Sequence, residues 1–153
     1  MRILRFLLLL ALIVWLGGIL FLGMVMAPTL FHVLPPQMAG LAVSRSLSLL
    51  HWIGMGCAVV IAVATVTLRM RSKRPFNTRL AVLAGMLILT AVSRFAVTPR
   101  MEDIRSSVGG DMQTLASSDP RREQFNRLHH WSSGLEMGVL LLGLYLVAEI
   151  ARE

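Results

Sequence analysis

The chain has 153 residues, of which 56% are hydrophobic and only 15% are charged. Soluble domains are roughly half apolar and a quarter charged, so this composition excludes an ordinary soluble domain and is typical of a membrane protein. The formal net charge of +7 would suit nucleic acid only if the bases formed one face, but they stand at the ends of apolar runs. We therefore expect the lipid bilayer, and no nucleic acid, as a partner.

Four apolar runs divide the chain. Each is long enough, at about 1.5 Å per residue, to cross a hydrocarbon core of about 30 Å. The first run is longer than the roughly 7–15 apolar residues of a cleavable signal, so we expect it to be retained as a helix. The sequence predicts an all-α integral membrane protein, a four-helix transmembrane bundle in a single domain over 1–153, with spans near 3–30, 44–69, 78–98 and 120–151.

The basic residues indicate the orientation, because short cytoplasmic loops are enriched in lysine and arginine. Five of them crowd the second loop: Arg69, Arg71, Lys73, Arg74 and Arg79. The first loop carries only Arg45, and the longer third loop mixes arginines with acids. We predict that both termini are inside the cytoplasm and that the protein is a multi-pass protein of the bacterial inner (cytoplasmic) membrane.

The third loop, which this orientation places outside, contains two helix-start signals. Thr98-Pro99 is followed by apolar residues at helical spacing until Gly109-Gly110, which predicts a short interfacial helix. Asp119-Pro120 repeats the signal, and nothing after it stops a helix before Ala151. The fourth helix is therefore expected to extend about two turns into the outer compartment.

Small residues recur at intervals of four along the spans, the spacing that allows membrane helices to approach closely. The examples are Gly23 with Ala27, Gly54 with Ala58 and Ala62, Ala81 with Gly85, and Gly134 with Gly138. These faces are expected to pack within the bundle, against other membrane helices, or in a homo-oligomer.

Two charged residues are expected inside the bilayer, where a charge costs about 2.5–3.5 kcal/mol on insertion scales and usually points into the bundle. Arg94 lies near the outer end of the third span, and Glu136 lies at a similar depth in the fourth. We predict that they face each other as a charge pair or a ligand-binding pair. Ser132 lies one turn from Glu136 on the same stripe and would join this site.

The histidines are also concentrated toward the outer side. His51 and Met55 share a face of the second span, His129 lies on the Glu136 stripe, and His32 follows the first span. Imidazole and thioether suit copper, and histidine with carboxylate suits other transition metals. The sequence predicts a polar pocket that binds or transports a copper-like metal ion or a small ligand. The alternative is a non-catalytic accessory or assembly subunit of a larger membrane complex.

Enzyme chemistry has no comparable support, because no phosphate loop or nucleophile arrangement is present and Glu136 is the only carboxylate within the four apolar runs. The sequence thus identifies no catalytic residue.

Several residue runs resemble a known family. These are Trp-Leu-Gly-Gly-Ile-Leu-Phe at 15–21, Ala-Pro-Thr-Leu-Phe at 27–31, Gly40, Thr-Pro-Arg-Met at 98–101, and Phe125 with Leu-His at 128–129. Together they resemble the bacterial four-helix membrane family like transmembrane protein 205, a domain of unknown function, which implies the topology above. The Trp-x-Gly-Gly element is also distantly similar to the CopD copper-resistance membrane domain, which implies copper handling.

A looser likeness links the first span to the HemJ type of membrane protoporphyrinogen oxidase. No histidine or lysine stands before Trp15 to serve as that family's haem ligand. Haem is therefore not expected as a cofactor.

Overall fold

The computed structural model describes residues 2–72, 78–109, 112, 115–116 and 118–152. Within these residues the chain is helical apart from short connections. Four helices are long and apolar enough to cross a membrane: Arg2–Val33, Pro36–Leu68, Thr78–Ser107 and Pro120–Ala151. The predicted all-α architecture with four membrane-length helices is confirmed, and these are called below the first to fourth helices.

The first and third helices each contain a wider π turn, and each extends beyond its predicted end. The π turns, Leu22–Met26 and Ser93–Val97, each come just before an α segment with proline in its first turn, Ala27–Val33 and Thr98–Ser107. Proline has no N–H and its ring crowds the carbonyl four residues earlier. The wider turn accommodates the missing N–H and the proline ring, so each helix continues past its proline. The short helix predicted from Thr98 is therefore present, but it continues the third span directly.

The connection between the first two helices is much tighter than predicted. The second helix is α-helical over Pro36–Ser72, and only Leu34 and Pro35 separate it from the first. Its start is eight residues earlier than the predicted position 44, because Pro36 has the fixed φ that suits a first helical position. Most of the predicted first loop, residues 31–43, is therefore helical.

The fourth helix, Pro120–Ala151, has the predicted bounds. Its cap is Asp119, whose carboxylate accepts a hydrogen bond of 2.8 Å from the Arg121 backbone N–H. An aspartate followed by proline is a strong start signal because the side chain satisfies an N–H that no helical carbonyl reaches. This local signal explains why the boundary was predictable.

The helices form a closed bundle in which each packs against its neighbours along the chain and the first packs against the fourth. Trp15, Met86 and Val139 are fully buried in its core. Gly54 lies directly against the Trp15 ring, and a Cβ there would stand 2.6 Å from Cε2 of the indole. The small-residue spacing at Gly54 therefore serves packing inside the bundle, as predicted for one of its possible uses.

We refer to the end of the bundle that carries both termini and the second loop as the inner end, following the predicted orientation. An ion pair joins the third and fourth helices there, with Arg79 Nε 3.3 Å from Glu149 Oε1. Lys73 and Arg74 of the predicted basic loop lie outside the described residues. The orientation itself stays a prediction.

Candidate ligand site in the outer half of the bundle

Glu136 is the centre of a polar cluster that joins three helices. Its Oε1 lies 2.7 Å from Nε2 of His51 on the second helix, and it accepts a hydrogen bond of 3.3 Å from the Ser93 hydroxyl on the third. His51 is only 1% exposed, and the Glu136 side chain is 15% exposed. The cluster is therefore an internal feature of the bundle and is screened from bulk water.

The Arg79–Glu149 pair at the inner end provides a reference for the depth of this cluster. Along the fourth helix, the step from Glu149 to Glu136 corresponds to about 20 Å at 1.5 Å per residue. A hydrocarbon core is about 30 Å thick. The cluster thus lies in the outer half of the span, at the level that the sequence predicted for Glu136.

His51 presents one satisfied and one unsatisfied ring nitrogen. Because Nε2 faces a carboxylate, we assign the imidazole proton to it, so that Nε2 donates to Glu136. Nδ1 is buried and has no hydrogen-bond partner among the described residues. In this tautomer Nδ1 carries a free lone pair, which can accept a hydrogen bond or coordinate a metal ion.

Ser132 occupies the position that the fourth-helix stripe predicts. It is buried and lies one turn outward from Glu136, and the same face continues inward through Val139, Gly143 and Leu146. The predicted stripe therefore follows the buried face of the helix inward from Ser132, whereas His129 at its outer end is exposed.

The predicted pairing of Arg94 with Glu136 is wrong. No ion pair joins them within the described residues; instead the Arg94 guanidinium carbon lies 5.9 Å from the Trp52 ring and 5.8 Å from the Phe95 ring. Ser93 and Arg94 are adjacent, and adjacent helical residues point in different directions. Since Ser93 is fully buried and faces Glu136, Arg94 is directed to the side of the bundle.

The other predicted metal ligands are spread along the structure. His129 is exposed and lies two turns outward from Glu136, about 10 Å along the helix. His32 is exposed at the end of the first helix, and Met55 is half-buried one turn inward from His51. Among the described residues, no group of three or more histidine, cysteine, aspartate and glutamate side chains is placed to hold a metal ion.

The outer end of the bundle has a further set of contacts that the sequence did not predict. Arg105 donates to the Gly40 carbonyl at 3.1 Å, and its guanidinium carbon lies 5.5 Å from the Phe125 ring. Ser44 and Glu102 are joined by a hydrogen bond of 3.2 Å. These contacts tie the outer segments of the second, third and fourth helices together above the cluster. No local pattern could reveal them, because the partners are far apart in sequence.

Comparison with known proteins identifies a family. Residues 10–107, more than half of the chain, match the family described as "Domain of unknown function (DUF4149)". The matched segment contains His51 and Ser93, whereas Glu136 lies beyond it. No curated protein and no solved structure matches the chain.

Proposed function

Since the chain belongs to the DUF4149 family, a domain of unknown function, its role has to be argued from its own residues, and we propose that it is a small membrane protein that binds or transports a ligand at His51. Glu136 holds the imidazole and accepts a second hydrogen bond from Ser93, and Ser132 lies one turn outward from Glu136. The bacterial inner membrane is the proposed location.

The observation that carries this proposal is the Nδ1 of His51, which has no hydrogen-bond partner among the described residues. A buried polar atom without a partner costs about 1–3 kcal/mol, so such atoms are rare unless a water, ion or ligand completes them. Metal-binding histidines characteristically donate their other ring N–H to a carboxylate, which fixes the tautomer and the orientation of the ring. The Glu136–His51 contact has this form.

A copper-like ion is the first ligand to consider. Met55 lies one turn inward from His51 on the same helix, and a thioether with an imidazole suits cuprous copper. His129 and His32 lie nearer the outer end and would contribute only by binding the ion before it reaches His51. A small molecule with an N–H or O–H donor is the other ligand class that Nδ1 can accept. The resemblance to the transmembrane protein 205 family and to the CopD domain is part of this proposal, and the resemblance to CopD favours copper as the ligand.

The test is a titration of the purified protein in detergent with cuprous ion against a competing chelator. We expect the wild type to bind, His51→Ala to lose binding, and Glu136→Gln to weaken it about 10- to 100-fold, the usual effect of removing an outer carboxylate. His130→Ala is the matched control, because His130 is an exposed histidine on the fourth helix. His129→Ala tests whether the outer histidines contribute.

Equal copper affinity in the wild type and His51→Ala, or no binding by either, would rule out the metal ligand. A screen of small hydrogen-bond donors would then examine the remaining ligand class, again with His51→Ala as the comparison. If both His51→Ala and His130→Ala lose copper binding, the ion binds to exposed histidines and not at a buried site.

The second candidate is a non-catalytic accessory or assembly subunit. It is favoured by glycines that the bundle does not use, since a Cβ at Gly17, Gly56 or Gly134 would meet nothing within 4 Å. Exposed glycines on membrane helices allow another helix to approach closely, from a partner or from a second copy. Stable co-purification with larger membrane proteins in mild detergent, lost on Gly56→Leu, would support this role.

A further inference from the structure

Arg94 is a charged residue of the outer half that the His51 cluster does not use. We propose that Arg94, held between Trp52 and Phe95, binds the phosphate of a phospholipid headgroup. This inference does not depend on the proposed function, because it uses a different side chain that points to a different side of the bundle.

The guanidinium lacks the counter-charge that an arginine in a span normally has. No acidic side chain forms an ion pair with it among the described residues, and its Nε is buried with no hydrogen-bond partner there. A charge inside the bilayer is costly, and arginines at such positions are usually paired. An anion from outside the chain would supply what the protein does not.

The surroundings of Arg94 open toward lipid. Trp52 is 56% exposed and Phe95 is 60% exposed, so the two rings that flank the guanidinium lie on the outer surface of the bundle. Aromatic rings at 5.9 and 5.8 Å attract the cation and hold its plane without using its N–H donors. The terminal Nη donors, which are not among the buried unpartnered atoms, therefore remain available for a ligand.

The depth of Arg94 identifies the anion. From Arg79 at the inner end to Arg94, the third helix rises about 22 Å at 1.5 Å per residue. This leaves about 8 Å to the outer boundary of a core of about 30 Å. Arginine side chains bridge such distances by extending toward the headgroups. The abundant anion at that boundary is the lipid phosphate, whose oxygens match the planar fork of a guanidinium.

The test is native mass spectrometry of the full chain in a neutral detergent, titrated with phosphatidylglycerol. Diacylglycerol with the same acyl chains measures the contribution of the chains alone, and inorganic phosphate as a competitor measures binding of the free anion. We expect one phosphatidylglycerol site, no comparable diacylglycerol binding, and no competition by millimolar inorganic phosphate.

Arg94→Gln should weaken phosphatidylglycerol binding about tenfold, the effect of one charge-assisted hydrogen bond. Arg100→Gln is the matched control, because Arg100 is an exposed arginine on the same helix, and it should change the affinity less than twofold. Equal affinity in the wild type and Arg94→Gln would overturn the proposal. Competition by inorganic phosphate would overturn the lipid as the source and leave a free-phosphate site.

Trp52→Leu provides a second variant if Arg94→Gln does not fold. It keeps the charge and changes only an exposed ring, so the bundle should be intact by circular dichroism. Loss of the stacking partner is expected to weaken phosphatidylglycerol binding severalfold, since a cation–π contact at an exposed site is a modest one. Unchanged affinity in Trp52→Leu would contradict the proposed geometry.

Discussion

The partner of Glu136 depends on which helix face each candidate occupies. Arg94 and His51 both lie at the correct depth, and charge alone favours arginine. The structure pairs Glu136 with His51 because His51 and Ser93 are buried and face the fourth helix. Arg94 is one position further along a helix, which turns it toward Trp52 and Phe95. Direction, and not charge, selects the pair.

A double-mutant cycle should measure this choice. Glu136→Ala leaves the buried His51 ring without its acceptor, so the single change is expected to cost about 3 kcal/mol of unfolding free energy. The cost of the double change, Glu136→Ala with His51→Ala, should differ from the sum of the two single costs by about 2 kcal/mol. Unfolding in SDS, followed by circular dichroism, would provide these values.

The same cycle between Arg94 and Glu136 is the control. Since these side chains make no direct contact, their effects should add to within about 0.5 kcal/mol. A larger coupling for Arg94 than for His51 would contradict the arrangement described here.

At the level of the helices, the first and third helices follow the same spacing of structural features. Pro28 and Pro99 are 71 residues apart, and each comes just after a π turn that begins at Leu22 or Ser93. The buried positions follow the same interval: Leu8, Leu12, Trp15 and Ile19 on the first helix, and Arg79, Leu83, Met86 and Thr90 on the third. Only Leu12 and Leu83 are identical among these four buried pairs, so similar geometry is reached without a sequence repeat.

Two glycines on the second helix offer a matched test of close packing. An alanine Cβ at Gly54 would stand 2.6 Å from Cε2 of the buried Trp15 ring, whereas at Gly56 it would meet nothing within 4 Å. Gly54→Ala should therefore lower the unfolding free energy by about 1–3 kcal/mol through overpacking. Gly56→Ala should be neutral or stabilising by up to about 1 kcal/mol, because alanine favours a helix over glycine. Equal effects would show that Trp15 does not fix this contact.

The polar groups of the whole molecule are arranged by depth. An ion pair, Arg79 with Glu149, marks the inner end, and the His51–Glu136 pair lies about 20 Å further out. Contacts of Arg105 and Glu102 close the outer end. A polar ligand would therefore find its partners in the outer half, and the orientation of the chain decides which compartment that half faces.

Cysteine labelling in intact cells tests the orientation. With Cys57 replaced by serine, a cysteine at position 73 should resist a membrane-impermeant reagent, because the basic second loop is expected in the cytoplasm. A cysteine at the exposed position 100 should react. Reaction at position 73 together with protection at position 100 would show that the topology is the reverse of the predicted one. The His51 cluster would then lie in the half of the membrane nearer the cytoplasm.

The sequence by itself determined the features that depend on composition and local signals. Apolar length gives four membrane helices, and the Asp119-Pro120 start gives the exact bounds of the fourth, because a cap is a contact between near neighbours. Helical periodicity placed Ser132 and Glu136 on one stripe. The helix bounds near Pro28, Pro36 and Thr98 were less predictable, because proline usually ends a helix. Only the structure shows that a π turn allows the first and third helices to continue past Pro28 and Pro99.

Only the tertiary structure decided the partners. Glu136 had several candidates at one depth, and the rotation of each helix about its axis, which is set by contacts such as Gly54 on Trp15, chose His51 and Ser93 over Arg94. The same rotation left Nδ1 of His51 without a partner in the part of the chain that the structure describes, and it placed Arg94 beside two exposed rings. Sequence spacing fixes the angle between residues on one helix. It does not fix how two helices are turned toward each other, because that follows from packing between distant segments.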